Sequence, residues 1–118
     1  MKKILVVDDE EYIRVLYKEE LEDEGYNVCV ACDGEEALRK IEEERPDLVI
    51  LDIKMPGING IEVLRKLRQR WRDLPVILST AYGEYKRDFS TWASDAYEVK
   101  SSDLTSLKKK VKDLIGKD

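Results

Sequence analysis

Four short apolar runs constrain this chain most, because each is followed by a residue that can hold a phosphoryl group or a metal ion. The runs are Ile4–Val7 before Asp8 and Asp9, Leu48–Leu51 before Asp52, Val76–Leu78 before Ser79 and Thr80, and Tyr97–Val99 before Lys100. Runs without polar alternation are typical of strands buried on both faces of a parallel sheet. Ligands of such sheets bind outside the carboxyl ends of the strands, so we expect these side chains to share one site.

Segments with helical spacing of apolar residues separate these runs and follow the last one. The clear stripes are Ile13, Leu16, Tyr17 and Leu21; Ala37, Leu38 and Ile41; Ile61, Leu64, Leu67 and Trp71; and Leu104, Leu107, Val111, Leu114 and Ile115. A further strand is predicted at Asn27–Ala31, and residues 81–95 are predicted to form a short or irregular helix. This alternation predicts an α/β fold of (βα)5 order, in which a doubly wound, five-stranded parallel sheet carries helices on both sides.

Local sequence signals mark the ends of the helices. Asp33 and Asn59 are placed to begin the second and third helices, and Ser101–Asp103 offers a cap for the last one. Gly25 and Pro46 are placed to end the first and second helices.

Length and charge narrow the class of protein. A chain of 118 residues has the usual size of one domain, so residues 1–118 are predicted to form a single domain with its own core. The net charge of −5 disfavours nucleic-acid binding, which needs a basic surface. The apolar run at Ile4–Val7 is too short for a signal peptide or a membrane span. We therefore expect a cytoplasmic protein without membrane contact.

Cys29 and Cys32 form a C-x-x-C motif, which raises the possibility of redox or zinc chemistry. On a strand, positions three apart point to opposite faces and lie about 10 Å apart, beyond the reach of a disulfide. No second pair of Cys or His residues is present to complete a zinc shell. Two buried, reduced thiols are the expected state.

The carboxylates at the strand ends predict a metal site. Asp8, Asp9 and Asp52 would repel one another, and a hard divalent cation with oxygen ligands relieves that repulsion. Mg²⁺ fits because it keeps several waters and uses one or two carboxylates plus phosphoryl oxygens. Asp52 can then act as a nucleophile and form an aspartyl phosphate, while the Thr80 hydroxyl and the Lys100 ammonium hold the phosphoryl oxygens.

Each aspartate taken alone has a simpler explanation, since Asp is common in the turns that follow strands. An acid pair, a third acid, a hydroxyl and a lysine at equivalent ends of successive strands favour a joint site over coincidence.

The motifs that carry this chemistry also resemble a known family. The segments Ile4–Glu10, Leu51–Gly57 and Ser79–Ala81, together with Lys100, resemble the response regulator receiver domain of two-component signalling over essentially the whole chain. The resemblance implies a CheY-like, flavodoxin-like fold in which Asp52 accepts a phosphoryl group from the phosphohistidine of a histidine kinase or phosphotransfer protein. It also implies that Asp9 coordinates Mg²⁺ directly, Asp8 acts through water, and the Lys54 backbone carbonyl is a third protein ligand.

The resemblance further implies a switch and an output. Thr80, Tyr97 and Lys100 match the residues that report phosphorylation to the face formed by the fourth helix, the fifth strand and the fifth helix. The output is a downstream protein target or a fused output domain, and the chain is a phosphoacceptor that assists its own phosphorylation and dephosphorylation rather than an enzyme. Ser101 departs from the family, which usually has Pro after the lysine in a cis bond. A cis bond before a residue other than Pro costs about 3 kcal/mol, so a trans bond is expected.

Three other functions share parts of this pattern. An inert receiver-like interaction module would keep the site without using it. A phosphatase with an aspartate nucleophile would want a second Asp two positions after Asp52, where this chain has Lys54. A flavodoxin-like FMN carrier would need a first loop that cradles phosphate, and Asp8-Asp9-Glu10 would repel that anion.

Overall fold

The computed structural model describes residues 1–55, 57–81, 95–101 and 103–116. In chain order its elements are β1 Lys3–Val7, α1 Glu11–Asp23, β2 Asn27–Ala31, α2 Gly34–Glu44, β3 Leu48–Asp52, α3 Gly60–Arg70, β4 Val76–Thr80, β5 Ala96–Val99 and α4 Thr105–Ile115. The last helix of the sequence prediction is therefore α4. The irregular helix predicted between β4 and β5 falls on residues 82–94, which lie outside the described residues.

The five strands form one sheet in the order β2-β1-β3-β4-β5, and each neighbouring pair is parallel. The predicted five-stranded parallel sheet is confirmed. The order reverses between β1 and β3, and this switch point is where open α/β sheets bind ligands. In register, Val7 lies opposite Leu51, and Asp52 lies opposite Ser79. The strand ends that carry the polar residues are thus level with one another.

Two apolar layers cover the two faces of the sheet. Side chains such as Leu5 and Leu78 pack with α2 and α3 on one face, and Ile4 and Ile77 pack with α1 and α4 on the other. Burial of each large aliphatic side chain contributes about 1.5–3 kcal/mol. Because strands alternate in side-chain direction, both faces of the central strands are buried, as their continuous apolar sequence predicts. The doubly wound arrangement is confirmed.

The predicted starts of α2 and α3 are confirmed by side-chain caps. The Asp33 carboxylate accepts a hydrogen bond from the Glu36 backbone N–H at 2.8 Å. The Asn59 side-chain oxygen accepts one from the Glu62 backbone N–H at 3.0 Å. Each bond satisfies a backbone donor that the first helical turn leaves without a partner.

The last helix begins later than its apolar stripe predicts. Leu104 is the residue before α4 and has no side-chain cap bond, although it is buried as expected. Asp103 instead accepts hydrogen bonds from the backbone N–H and the hydroxyl of Thr105. Similarly, Trp71 belongs to the predicted stripe of α3 but lies just after the end of that helix. In both cases the periodicity of apolar residues locates the buried face of a helix better than it locates the helix end.

The two cysteines are free, which confirms the predicted absence of a disulfide between them. The expectation of burial is wrong for Cys32, which is exposed, and Cys29 is half-buried. β2 ends at Ala31, so Cys32 already belongs to the loop and no longer faces the core.

No helix in the described part of the chain combines the length and apolar character needed to cross a membrane.

Gly60 places the end of β3 against the start of α3. A Cβ at this position would lie 2.1 Å from the backbone oxygen of Asp52 and 2.8 Å from the Cα of Ile53. The Gly60 N–H also donates to the Ile53 carbonyl at 2.7 Å. Since both crowded atoms belong to the backbone, neither can rotate away. Only glycine allows α3 to approach Asp52 this closely.

We expect Gly60→Ala to lower the free energy of unfolding by at least about 3 kcal/mol, because the added methyl group must displace backbone at Asp52. Alanine would otherwise favour a helix over glycine by about 1 kcal/mol, so a loss identifies the clash as its cause. Urea unfolding measures the effect, with Lys66→Ala on the exposed side of α3 as the control. Equal stability of Gly60→Ala and the wild-type chain would contradict this explanation.

Candidate functional site

A cleft of about 220 Å³ lies at the carboxyl edge of the sheet. Its lining consists of Asp9, Glu10, Asp52, Lys54, Thr80, Ala81 and Lys100. Five of the predicted site residues are in this set. Asp8 is not part of this lining but contacts Lys100, and Tyr97 lies on β5, three residues before Lys100.

The Lys100 ammonium joins two buried carboxylates at the base of the cleft. Its Nζ atom lies 2.7 Å from Oδ2 of Asp8 and 3.2 Å from Oδ1 of Asp52. The two aspartates are 2% and 3% exposed, so water screens these contacts weakly. One cation thereby holds together residues at the carboxyl ends of β1, β3 and β5.

Asp52 is an unusual carboxyl group. Burial, then the neighbouring charge of Asp8, raise its pKa from 3.8 to about 7, although Lys100 acts in the opposite direction. The carboxylate is therefore short of positive charge. A cation added to this cleft would favour the ionised form that a nucleophile requires.

Lys100 remains a strong cation in spite of its position. Burial by itself lowers its pKa, but the hydrogen bond that Lys100 donates to Asp8 and the charges of Asp52 and Asp8 outweigh burial and raise the pKa overall. Its backbone N–H donates to the Thr80 carbonyl at 2.7 Å, which continues the pairing of β5 with β4 up to the site. The bond between Lys100 and Ser101 is trans, as predicted.

The two residues predicted to form the switch lie on neighbouring strands. Thr80 is buried at the end of β4 and lines the cleft. Tyr97 is half-buried on β5 and packs against the core layer between the sheet and α2–α3. Its backbone carbonyl accepts a hydrogen bond from the Lys110 ammonium at 2.7 Å, so α4 holds the strand at this residue.

The carboxylates closest to one another come from the first loop. One oxygen each of Asp8, Asp9 and Glu10 lies within 4.8 Å of the other two. Asp52 is outside this group and joins the site through Lys100 and the shared cleft. Only its position directly after Asp8-Asp9 marks Glu10 as a site residue in the sequence. A donor set made entirely of carboxylate oxygens fits a hard divalent cation such as Mg²⁺.

Comparisons with known proteins agree with this geometry. The family profile described as "Response regulator receiver domain" matches residues 4–112. The response regulator TrrA of Thermotoga maritima, solved in complex with Mg(2+)-BeF, is 55% identical, with a TM-score of 0.95 over 98% of this chain and 100% of that one. A second structure, of histidine kinase ThkA in complex with TrrA, gives 55% identity and a TM-score of 0.92 over 98% and 99% of the two chains.

One relative is much longer than this chain. The alkaline phosphatase synthesis transcriptional regulatory protein PhoP of Bacillus subtilis is 53% identical over 83 residues. That match covers 70% of this chain and 35% of the relative, so the chain spans only part of the longer protein.

We expect Asp52→Asn to stabilise the metal-free protein by about 1–3 kcal/mol at pH 8, because it removes a buried carboxylate charge and leaves Lys100 paired with Asp8. Thermal or urea unfolding in the presence of a chelator measures the difference. The matched control is Asp113→Asn, which also removes one negative charge but from an exposed pair with Lys109. If the variant is less stable than the wild type, the negative charge of Asp52 does not destabilise the folded protein.

Proposed function

We propose, because the chain belongs to the response regulator receiver domain family, that Asp52 accepts a phosphoryl group from the phosphohistidine of a histidine kinase or phosphotransfer protein. The observation that carries the proposal is the Lys100 ammonium, which lies between the buried carboxylates of Asp8 and Asp52 at the base of a cleft open to solvent. A phosphohistidine can reach the carboxylate through this opening.

The transfer step assigns one task to each side chain. An oxygen of the Asp52 carboxylate bonds to phosphorus while the bond from phosphorus to the histidine nitrogen breaks, and that nitrogen keeps the electron pair. Lys100 supplies a positive charge and Thr80 a hydroxyl hydrogen bond to the phosphoryl oxygens. Both groups already line the cleft, so they lie near the position that the phosphoryl oxygens would take.

The donor set at the cleft supports a Mg²⁺ site. Asp8, Asp9 and Asp52 would hold the ion with their carboxylates, directly or through water, and Lys54 with its backbone carbonyl. When bound, Mg²⁺ neutralises the carboxylates and the phosphoryl oxygens that would otherwise repel each other. The raised pKa of Asp52 is consistent with this need, since burial and Asp8 penalise its ionised form.

The contacts of Thr80 and Tyr97 support a route for the signal. Thr80 would move toward the new phosphoryl oxygens, and Tyr97 would turn into the space it leaves. Tyr97 lies on β5, and Lys110 joins its carbonyl to α4. The change would reach the surface made by β5 and α4. The fourth helix of the predicted output face falls on residues 82–94, outside the described residues.

Chain organisation and partners follow from the same assignment. Residues 1–118 would form a single receiver domain that acts in the cytoplasm, contacts a kinase or phosphotransfer protein, and passes its state to a downstream protein target or a fused output domain. The complex of ThkA with TrrA, a protein 55% identical to this chain, supports a kinase as the phosphoryl donor. The domain would act as a phosphoacceptor that assists its own phosphorylation and loss of phosphate, without turnover of a separate substrate.

Incubation with acetyl phosphate and Mg²⁺ tests this function. We expect the intact mass of the wild-type chain to increase by about 80 Da, the mass of one phosphoryl group, and the gain to disappear in Asp52→Asn. A chelator should also prevent the gain. A phosphorylated histidine kinase incubated with the same two chains tests the natural class of donor.

Two results would decide against the proposal. A wild-type chain that gains no mass from either donor would identify an inert interaction module. Continuous hydrolysis of a phosphomonoester that depends on Asp52 would instead identify a phosphatase.

A further inference from the structure

The turn between β1 and α1 carries the metal-binding carboxylates and is held from several directions. The Asp8 backbone N–H donates to the Ala31 carbonyl at 3.1 Å, which ties the turn to β2. Oδ1 of Asp8 accepts from the Glu10 backbone N–H at 2.9 Å, and Oδ2 contacts Lys100. A fourth contact comes from α1, where Nη1 of Arg14 donates to the backbone oxygen of Asp8 at 2.7 Å.

These contacts fix the backbone on both sides of Asp9. The peptide unit before Asp9 contains the Asp8 carbonyl, which Arg14 holds. The peptide unit after Asp9 contains the Glu10 N–H, which the Asp8 carboxylate holds. With both units hydrogen-bonded, the direction of the Asp9 Cα–Cβ bond is set before any cation binds.

In the described structure, Arg14 is the one charged side chain that holds the peptide unit before Asp9. Without Arg14 the turn would lose this contact. Three carboxylates within 4.8 Å of one another repel, and the repulsion favours a more open turn. α1 cannot close the turn through its own cap, because Glu10 makes no side-chain cap bond. A planar guanidinium bonded to a carbonyl is well suited to this task.

We propose that Arg14 is a positioning residue for Mg²⁺. Arg14 holds the turn so that Asp9 faces the ion, and it does not contact the ion itself. The inference rests on the proposed function, because it assumes that this turn binds Mg²⁺. Residues that orient metal ligands typically change metal affinity by 10–100-fold when they are replaced.

Arg14 could affect Mg²⁺ binding through its charge or by positioning Asp9, and the two roles predict opposite changes in Mg²⁺ affinity when Arg14 is replaced. If Arg14 acted only through its charge, its removal would make the site more negative and Mg²⁺ would bind more tightly. If Arg14 positions Asp9, its removal leaves the turn free to open and Mg²⁺ binds more weakly. The sign of the change therefore separates the two roles.

The experiment is a Mg²⁺ titration of the metal-free chain, followed by the ¹H–¹⁵N NMR signals of the Asp9 and Glu10 amides, with thermal unfolding of each variant in parallel. We expect Arg14→Met to raise the dissociation constant for Mg²⁺ about tenfold. Arg14→Lys keeps the charge but lacks the planar group, and should raise the constant severalfold. The control Arg39→Met removes the same charge from an exposed position that pairs with Glu36 and Glu43, and should leave the constant unchanged.

The outcomes are distinct. Mg²⁺ binding by Arg14→Met as tight as in the wild type, or tighter, would overturn the positioning role and leave the proposed function intact. A lower melting temperature with an unchanged dissociation constant would likewise show a purely structural role. If Arg14→Met does not fold, an unchanged constant in Arg14→Lys overturns the inference. A wild-type chain whose Asp9 amide does not respond to Mg²⁺ would overturn both this inference and the proposed metal site.

Discussion

The ion pairs of Lys100 with Asp8 and Asp52 are the contacts on which the arrangement of the site depends. They join the ends of β1, β3 and β5, which are far apart in the sequence, at distances of 2.7 and 3.2 Å. One ammonium cannot neutralise two buried carboxylates, and the high pKa of Asp52 expresses the remaining deficit. In the proposed function the site receives a cation and a group whose oxygens need positive charge. A phosphoryl group accompanied by Mg²⁺ meets both needs.

The fold supplies the precision that this chemistry requires. The parallel strands are in register, so the polar residues at their carboxyl ends lie level with one another. Gly60 allows α3 to pack in direct contact with the backbone of Asp52. Asp52, the proposed nucleophile, therefore lies at a strand end whose backbone is held in place by the packing of α3 against it. Such rigidity is a property of the apolar layers, while the reactive groups stay at the edge where a partner can reach them.

Much of this architecture could be predicted from the sequence, because a strand that is buried on both faces has a continuous apolar sequence. The continuous apolar runs marked the strands, and the helical stripes marked the faces of α1 to α4 that contact the sheet. The residues after these runs include Asp9, Asp52, Thr80 and Lys100, which the structure brings to one cleft because a parallel sheet places equivalent strand ends side by side. The start of α4 was misplaced because Leu104 is buried without being helical.

The parts that could not be predicted depend on side-chain geometry. Periodicity does not show that Cys32 leaves the strand for an exposed loop, and it gives no reason to select Arg14, whose partner is a backbone oxygen. Glu10 joined the carboxylate group only when the turn was seen in three dimensions. Contacts made by long polar side chains leave no regular pattern in a sequence, whereas apolar layers do.

A crystal structure with Mg²⁺ and beryllofluoride, a mimic of the phosphoryl group, tests the central claim most directly. It should show beryllium attached to the Asp52 carboxylate, Mg²⁺ within coordination distance of Asp9 and Asp52, and Lys100 in contact with a fluoride. Mg²⁺ bound by Asp9 and Glu10 at a distance from Asp52, with no beryllofluoride in the cleft, would contradict the account.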